Sequence, residues 1–403
     1  MKEKKKTPKK LGRANPIVYA LAYAIVKPIF TKKYNISYDN AIVKKIKGPA
    51  VVIASHTSDM DHILSGLTLY PLRPNYIASD HFKYFPLTAM LLKIFHAIPK
   101  RMFTPDISTI RNIMRAMKEN SVIVIFPEGR LSAYGHTLPV AEGTAELIKK
   151  LGVDVYLWQA PGAYLTFPKW RDKGDDRIGK INLTVKQLLT AEQVAEKSVA
   201  EIKLITDNAI CHDDELAMAG VEYKCKDISK GVDRILYKCP VCMQEGNITA
   251  GGGHIRCSCG LDAELDSTYR LHGAPFDRIN EWFDWQQASI DISTESLYSK
   301  VRLGCINKDG CMDSNAGEGE IYIDKDIFRL SGTKHGEKLE FSVTPDKLGA
   351  FPITLDDHFD VHHNGELIYV YPQPDPKISI KWVCFLDNLN ARRRSKAENT
   401  INA

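Results

Sequence analysis

The chain of 403 residues lacks a hydrophobic run of bilayer-spanning length. In "NPIVYALAYAIVKPIF" the unbroken apolar stretch runs from Ile17 to Val26 and covers only ten residues. As a helix it rises about 15 Å, half of the roughly 30 Å hydrocarbon core, which excludes a spanning segment and leaves one that can lie in an interface. The segment also lacks a convincing small-x-small cleavage site, and Lys27-Pro28 ends it abruptly. Although "MKEKKKTPKKLGR" looks like the n-region of a signal peptide, the expectation is therefore an interfacial helix, with Asn15 as its cap and Pro16 in its first turn. Without a secretory signal, the expected compartment is the reducing cytosol, so the nine cysteines are not read as a disulfide framework. No repeat of solenoid length is present.

The chain's net positive charge comes from one place. The formal net charge is +5, but the first thirteen residues hold seven basic groups and one acidic, so the remaining 390 sum to −1. A basic arm on a near-neutral body suits an anionic partner, and beside an apolar helix the expected partner is an anionic membrane surface on its cytoplasmic face.

What the chain does contain is an alternation of short β-rich runs with helical stretches. "AVVIAS", "NYIAS", "SVIVIF", "VDVYLW" and "KINLTV" read as strands, and "PLTAMLLKIF", "ISTIRNIMRAMKEN" and "VAEGTAELIKKLG" as helices between them. This predicts an α/β layered domain with a largely parallel sheet over residues 34–215, closed by a helix over "TAEQVAEKSVAEIKLITDNAI". The predicted organisation is a basic arm and interfacial helix (1–33), this α/β domain, a cysteine-rich module (234–268), a helical connector (275–300) and a small antiparallel β domain (318–396) ending in a strand or helix.

The stretch "ASHTSDMDHIL" places His56, Asp59, Asp61 and His62 directly after an oily strand, where side chains reach the rim of a sheet. His56 and Asp61 form H-x-x-x-x-D, a weak pattern that His272 and Asp277 repeat within a Gly/Pro turn. Residues five apart on a helix are rotated about 140° from each other, so His56 must precede the helix, with Thr57 or Ser58 as N-cap and Asp61 in the first turn. An aspartate on one ring nitrogen fixes the tautomer and leaves the other as a base. A second strand exits into "FPEGRLS": Gly129 allows close backbone approach, Arg130 offers a fork for phosphate oxygens, and Glu128 can hold Arg130 or accept from a hydroxyl. Lys100 and Arg101 in "HAIPKRMF" add positive charge at another strand end.

Taken together, His56-x-x-x-x-Asp61 and Phe126-Pro127-Glu128-Gly129-x-x-Ser132 resemble the 1-acylglycerol-3-phosphate acyltransferase family of glycerolipid acyltransferases, over roughly residues 15 to 210. The resemblance implies that family's α/β fold and an O-acyltransferase. Its donor would be an acyl thioester, acyl-CoA or acyl-carrier protein, and its acceptor a lysophospholipid. His56 would be general base, Asp61 would orient it, and Lys100, Arg101, Phe126, Pro127, Glu128, Gly129, Arg130 and Ser132 would form the acceptor site. The sequence departs from the family at the middle block, where Lys100 and Arg101 follow Pro99 at once, and at the fourth, where Asp154 stands in place of a proline.

Cys239, Cys242, Cys257 and Cys259 fall within 21 residues as C-P-x-C and C-x-C. Two close thiolate pairs suit tetrahedral Zn²⁺ and resemble a zinc ribbon; the second pair is one residue short of C-x-x-C, which leaves His254 as an alternative to Cys257. Four thiolates leave no open position, so the metal is expected to be structural. The flanks lack clustered arginines and interleaved aromatics, so nucleic-acid binding is not favoured. The terminal β domain faintly resembles lipid-associated modules of the pleckstrin-homology (PH) or GRAM type. An alternative to the enzyme reading is a non-catalytic lipid-binding adaptor that recruits a partner through the ribbon and β domain.

Overall fold

The computed structural model describes residues 10–401 apart from 104–105, 308 and 364. Most of the basic arm, residues 1–9, lies outside the described residues. The chain divides into two units. The first comprises the described residues up to Arg130, then His136–Ala163 and Lys180–Ala217; the second comprises Leu131–Gly135, Tyr164–Gly179 and Met218–Ala403. The α/β part is therefore not one continuous stretch, because 131–135 and 164–179 belong to the second unit.

The first unit is built on a seven-stranded sheet. Its strands are β1 (Asn35–Asp39), β2 (Ala50–Ala54), β3 (Asn75–Ser79), β4 (Ile98–Lys100), β5 (Val122–Ile125), β6 (Asp154–Gln159) and β7 (Lys180–Leu189). Their order is β1-β7-β6-β2-β5-β3-β4. From β6 to β4 every pairing is parallel, while β7 runs antiparallel to β6. Central strands covered on both faces read as continuous apolar runs, and all five residues of β2 and all four of β5 are buried.

The helices are α1 (Pro16–Lys33), α2 (Asp61–Leu69), α3 (Pro86–Ile94), α4 (Ile107–Lys118) and α5 (Thr144–Leu151), followed by Ala191–Glu196 and Val199–Ile210. Alternation along β2 sends Val51 and Ile53 into a core with Ile113 and Met117 of α4, Ile148 of α5 and Ile202. On the other face Trp158 of β6 donates its indole N–H to Thr68 of α2 at 3.1 Å.

Two helix boundaries differ from the sequence reading. The expected single helix after β7 is two, because Ser198 starts a second capping box with Glu201 directly after the first helix, capped by Thr190 and Gln193, ends. Helix α2 starts three or two residues later than a Thr57 or Ser58 cap implies. Met60 is its N-cap, and Asp61 itself reaches back to accept from Ser58 N–H at 2.9 Å.

The second unit contains a four-stranded sheet, β8 (Ile248–Gly251), β9 (His254–Cys257), β10 (Asp262–Leu265) and β11 (Leu271–His272), in the order β11-β10-β9-β8. A helix at Ile279–Ala288 leads to a larger antiparallel sheet. Its strands are β12 (Leu297–Ile306), β13 (Met312–Ile323), β14 (Phe328–Lys334), β15 (Glu337–Val343), β16 (Ile353–Thr354), β17 (His358–His363) and β18 (Glu366–Gln373). They lie in the order β15-β14-β13-β12-β18-β17-β16. The sheet thus begins at Leu297 rather than near 318: β12 and the polar, glycine-bearing start of β13 are held by their long pairing with each other, which no local apolar pattern announces. The closing segment is a helix, Ser379–Ile401, whose Trp382 stacks on Phe359 of β17 with ring centroids 5.8 Å apart.

Candidate active site

Strands β2 and β5 are neighbours whose onward connections diverge. From β2 the chain passes through α2 to β3 beyond β5; from β5 it passes through α5 to β6 beyond β2. Such a divergence opens a crevice at the carboxyl ends of the two strands, where open α/β sheets bind ligands. His56 follows β2 and Glu128 follows β5, so the crevice receives both.

The His56 Nδ1 lies 2.9 Å from Asp61 Oδ2. Asp61 is 1% exposed and the His56 side chain 24%, so one partner is sealed and the other reaches solvent. Burial pushes the Asp61 carboxyl above its usual range, while the bonds from the His56 ring and the Ser58 N–H favour the ionised form. The ring of Phe126 packs against the imidazole at 4.5 Å between centroids. Asp59 and His62, the other titratable residues of the stretch, are exposed.

Glu128 ties two segments together. Its Oε1 accepts from the backbone N–H of His56 at 2.6 Å and its Oε2 from that of Leu138 at 2.7 Å. Burial pushes its carboxyl up to about 7, against the pull of these two donors. The turn carrying it closes with Gly129 N–H donating to the Phe126 carbonyl at 3.3 Å, across Pro127, whose ring fixes φ for the second turn position. Gly129 has φ +75 and no atom within 4 Å of where a Cβ would stand, so backbone conformation rather than crowding requires glycine there.

Arg130 is half-buried and Ser132 fully buried. Lys100 and Arg101 stand at the carboxyl end of β4, the same sheet edge as His56 and Glu128, because β4, β3, β5 and β2 are parallel. Burial lowers the affinity of the Lys100 amine for its proton, with Asp106 opposing. Arg101 is exposed, its backbone N–H donating to Asp106 at 3.0 Å. Leu138 was invisible to sequence reasoning, since it acts through a backbone N–H that leaves no side-chain signal.

In the second unit the four sulfurs of Cys239, Cys242, Cys257 and Cys259 lie within 4.8 Å of one another. Cys239 and Cys259 are 3.7 Å apart and Cys242 and Cys257 3.8 Å. Four thiolates about 2.3 Å from a tetrahedral ion stand about 3.8 Å apart, whereas a disulfide holds its sulfurs about 2.0 Å apart. The spacing fits a metal centre. Backbone N–H groups of Val241 and Cys242 face the Cys239 sulfur, and that of Leu261 faces Cys259, as thiolate ligands require. The imidazole of His254 is engaged by Asp262 at 2.7 Å and is not in the cluster.

Comparison with known proteins bears on the first unit. Residues 31–157 match the sequence model of the Acyltransferase family. The 1-acyl-sn-glycerol-3-phosphate acyltransferases of Limnanthes alba and Limnanthes douglasii are each 26% identical over 167 residues, 40% of this chain and 58% of theirs. The chain thus spans little more than half the length of these relatives. The solved structure of the 1-acyl-sn-glycerophosphate (LPA) acyltransferase PlsC from Thermotoga maritima aligns at 18% identity and a TM-score of 0.40, covering 48% of this chain and 77% of that one. The His56–Asp61 pair and the Glu128 turn both fall inside the matched residues: the chain carries an acyltransferase domain.

Proposed function

We propose that this protein transfers an acyl group from a thioester, acyl-CoA or acyl-carrier protein, to the free hydroxyl of a lysophospholipid such as 1-acylglycerol 3-phosphate. The observation that carries the reading is the His56–Asp61 pair, held at 2.9 Å at the crevice between β2 and β5. Asp61 accepts from Nδ1–H, so Nε2 takes the acceptor's hydroxyl proton as its oxygen attacks the thioester carbonyl. Collapse of the tetrahedral intermediate expels the thiolate, which recovers the proton from Nε2. No acyl-enzyme is needed, and a positioned imidazole of this kind typically contributes about 10²–10⁴-fold. Arg130, Lys100 and Arg101 supply positive charge for the acceptor's phosphate, Arg130 on the same turn as Glu128.

Two exposed apolar stripes support membrane association. Ile17, Leu21, Ile25 and Ile29 recur every four residues along α1, and Leu87, Met90, Leu91 and Ile94 line α3. Tyr19 of α1 meets Phe95, at the end of α3, edge-on at 6.0 Å. Among the described residues no helix is long and apolar enough to cross a membrane, so the stripes suit a surface that dips into the cytoplasmic face. The four-cysteine cluster takes a structural Zn²⁺ in this reading. The large antiparallel sheet is a PH/GRAM-like module, supported by its strand order and its closing helix.

The test is purified protein with lysophosphatidate vesicles and each donor, read by lipid mass spectrometry. Phosphatidate formed by the wild type and lost in His56→Ala is expected. Lysolipid bound but not acylated with either donor overturns the enzyme and favours the adaptor.

A further inference from the structure

A second histidine–aspartate pair lies in the first unit, beyond the residues that match the acyltransferase family. Just past the helix Val199–Ile210, His212 Nε2 lies 2.9 Å from Asp214 Oδ1. The His212 side chain is 8% exposed and that of Asp214 fully buried. The same oxygen accepts from Gly162 N–H at 2.7 Å, so the aspartate is fixed from two sides.

This pair connects to the candidate active site through a short chain of hydrogen bonds. The His212 backbone N–H donates to Thr137 Oγ1 at 3.1 Å, and Thr137 N–H donates back to the His212 carbonyl at 3.0 Å. A further bridge joins His136 to Asp213. The next residue, Leu138, donates to Glu128 Oε2, and Glu128 Oε1 receives the His56 N–H. Segment 136–138 is thus held between the 212–213 backbone on one side and Glu128 on the other.

We propose that His212 and Asp214 are a positioning pair: by fixing segment 136–138 they set Glu128, and through it the relation between the His56 loop and the Arg130 turn. The proposal rests on the acyltransferase reading for its kinetic consequence but not for its structural one. Electrostatics support the geometry. Although burial disfavours the charged imidazole, Asp214, Asp213 and Glu128 together raise the affinity of His212 for its proton. Asp214 also acts on Asp61, raising its affinity for a proton. Without the pair, Leu138 loses its support, and Glu128 is a buried carboxylate with one donor instead of two.

The experiment uses the full chain. Hydrogen–deuterium exchange by mass spectrometry compares wild type with His212→Ala, His212→Gln and Thr137→Val. Expected in His212→Ala is faster exchange confined to peptides covering 55–62 and 136–139, with β1 and β7 as in wild type. Loss of one hydrogen bond to a charged group should raise the acceptor's KM about tenfold while the donor's KM stays within about twofold. His212→Gln keeps an N–H donor for Asp214 and should recover most of both effects. Wild-type exchange at 55–62 and 136–139 in His212→Ala overturns the proposal. If that variant is globally unfolded, Thr137→Val decides instead, since it removes the Oγ1 acceptor alone: faster exchange at the same two segments supports the proposal, and unchanged exchange overturns it. A wild type that acylates no lysolipid refutes the function proposed above, while the exchange measurement still decides the positioning role.

Discussion

His56 and His272 are each followed five residues later by an aspartate, yet the two stretches do opposite things. After β2 the chain turns at once into α2, and Asp61 in the first turn bends back to the imidazole. After β11 it leaves through Gly273, and Asp277 ends beside Arg270 at 3.7 Å. His272 instead bonds Asp266 at 2.8 Å, across a turn on the surface. The carboxylates differ accordingly. Asp61 is sealed and pushed up by burial; Asp266, although burial also raises it, is held down to about 2 by bonds from His272, Thr268 and Arg270. The same letters give a sealed aspartate beside a solvent-reaching imidazole in one place and a histidine bonded to a different aspartate in the other, because strand-to-helix geometry, not spacing, decides which atoms meet.

The sharpest way to break this contrast is to remove each histidine in turn. His56→Ala should lower acyl transfer by about 10²–10⁴-fold with folding retained, since a strand-end side chain carries little packing. His272→Ala should leave turnover unchanged. Equal rates for His56→Ala and wild type would erase the distinction.

Asp61→Asn tests the orienting half. Asp61 Oδ2 meets both the Ser58 N–H and the His56 ring, so an amide NH₂ in its place loses the Ser58 bond, faces Nδ1 and moves the ring proton to Nε2, which no longer accepts. A fall in kcat of up to about 10⁴-fold is expected, with the acceptor's KM little changed. Steady-state kinetics at saturating donor separate the two constants.

Glu128 sharpens the comparison through pH. Its folded carboxyl sits at about 7 against about 4.5 when unfolded, so the native state keeps its proton longer than the unfolded chain. The resulting stability is complete below pH about 4.5 and is lost as pH rises through about 7, about 3 kcal/mol in all. Because Gln does not titrate, the stability of wild type relative to Glu128→Gln should decline over that window and stay level above it. Denaturation at a series of pH values checks both. The smallest effect is expected at the surface pair: His272→Ala should change stability by less than about 1 kcal/mol, read as a shift in denaturation midpoint.

Much of this was legible beforehand for physical reasons. Buried parallel strands such as "AVVIA" and "VIVI" announce themselves by unbroken apolar runs, and the His56–Asp61 relation follows from helix geometry alone. What stayed hidden depends on distant partners. Short β1 and β4 borrow their strand character from β7 and β3. The role of Glu128 as a strap depends on the N–H of Leu138, and the backbone of His212 meets the site through Thr137. The split between the two helices around Ser198 was readable, since Ser198 and Glu201 spell a capping box, but the helical periodicity on either side obscured it.

The strap formed by Glu128 also bears on when the protein becomes active during its life. His56 and Glu128 are 72 residues apart in the chain, and Leu138 is later still. A nascent chain that has made β2 and α2 already holds its histidine and aspartate as local neighbours, yet the loop between them and the acceptor turn stays slack until β5 adds beside β2. Closing so long a loop is a slow, late event in folding. Under the proposed function, competence would therefore arrive with the completed sheet rather than with the dyad, and a half-folded copy would have no organised centre with which to consume acyl donor.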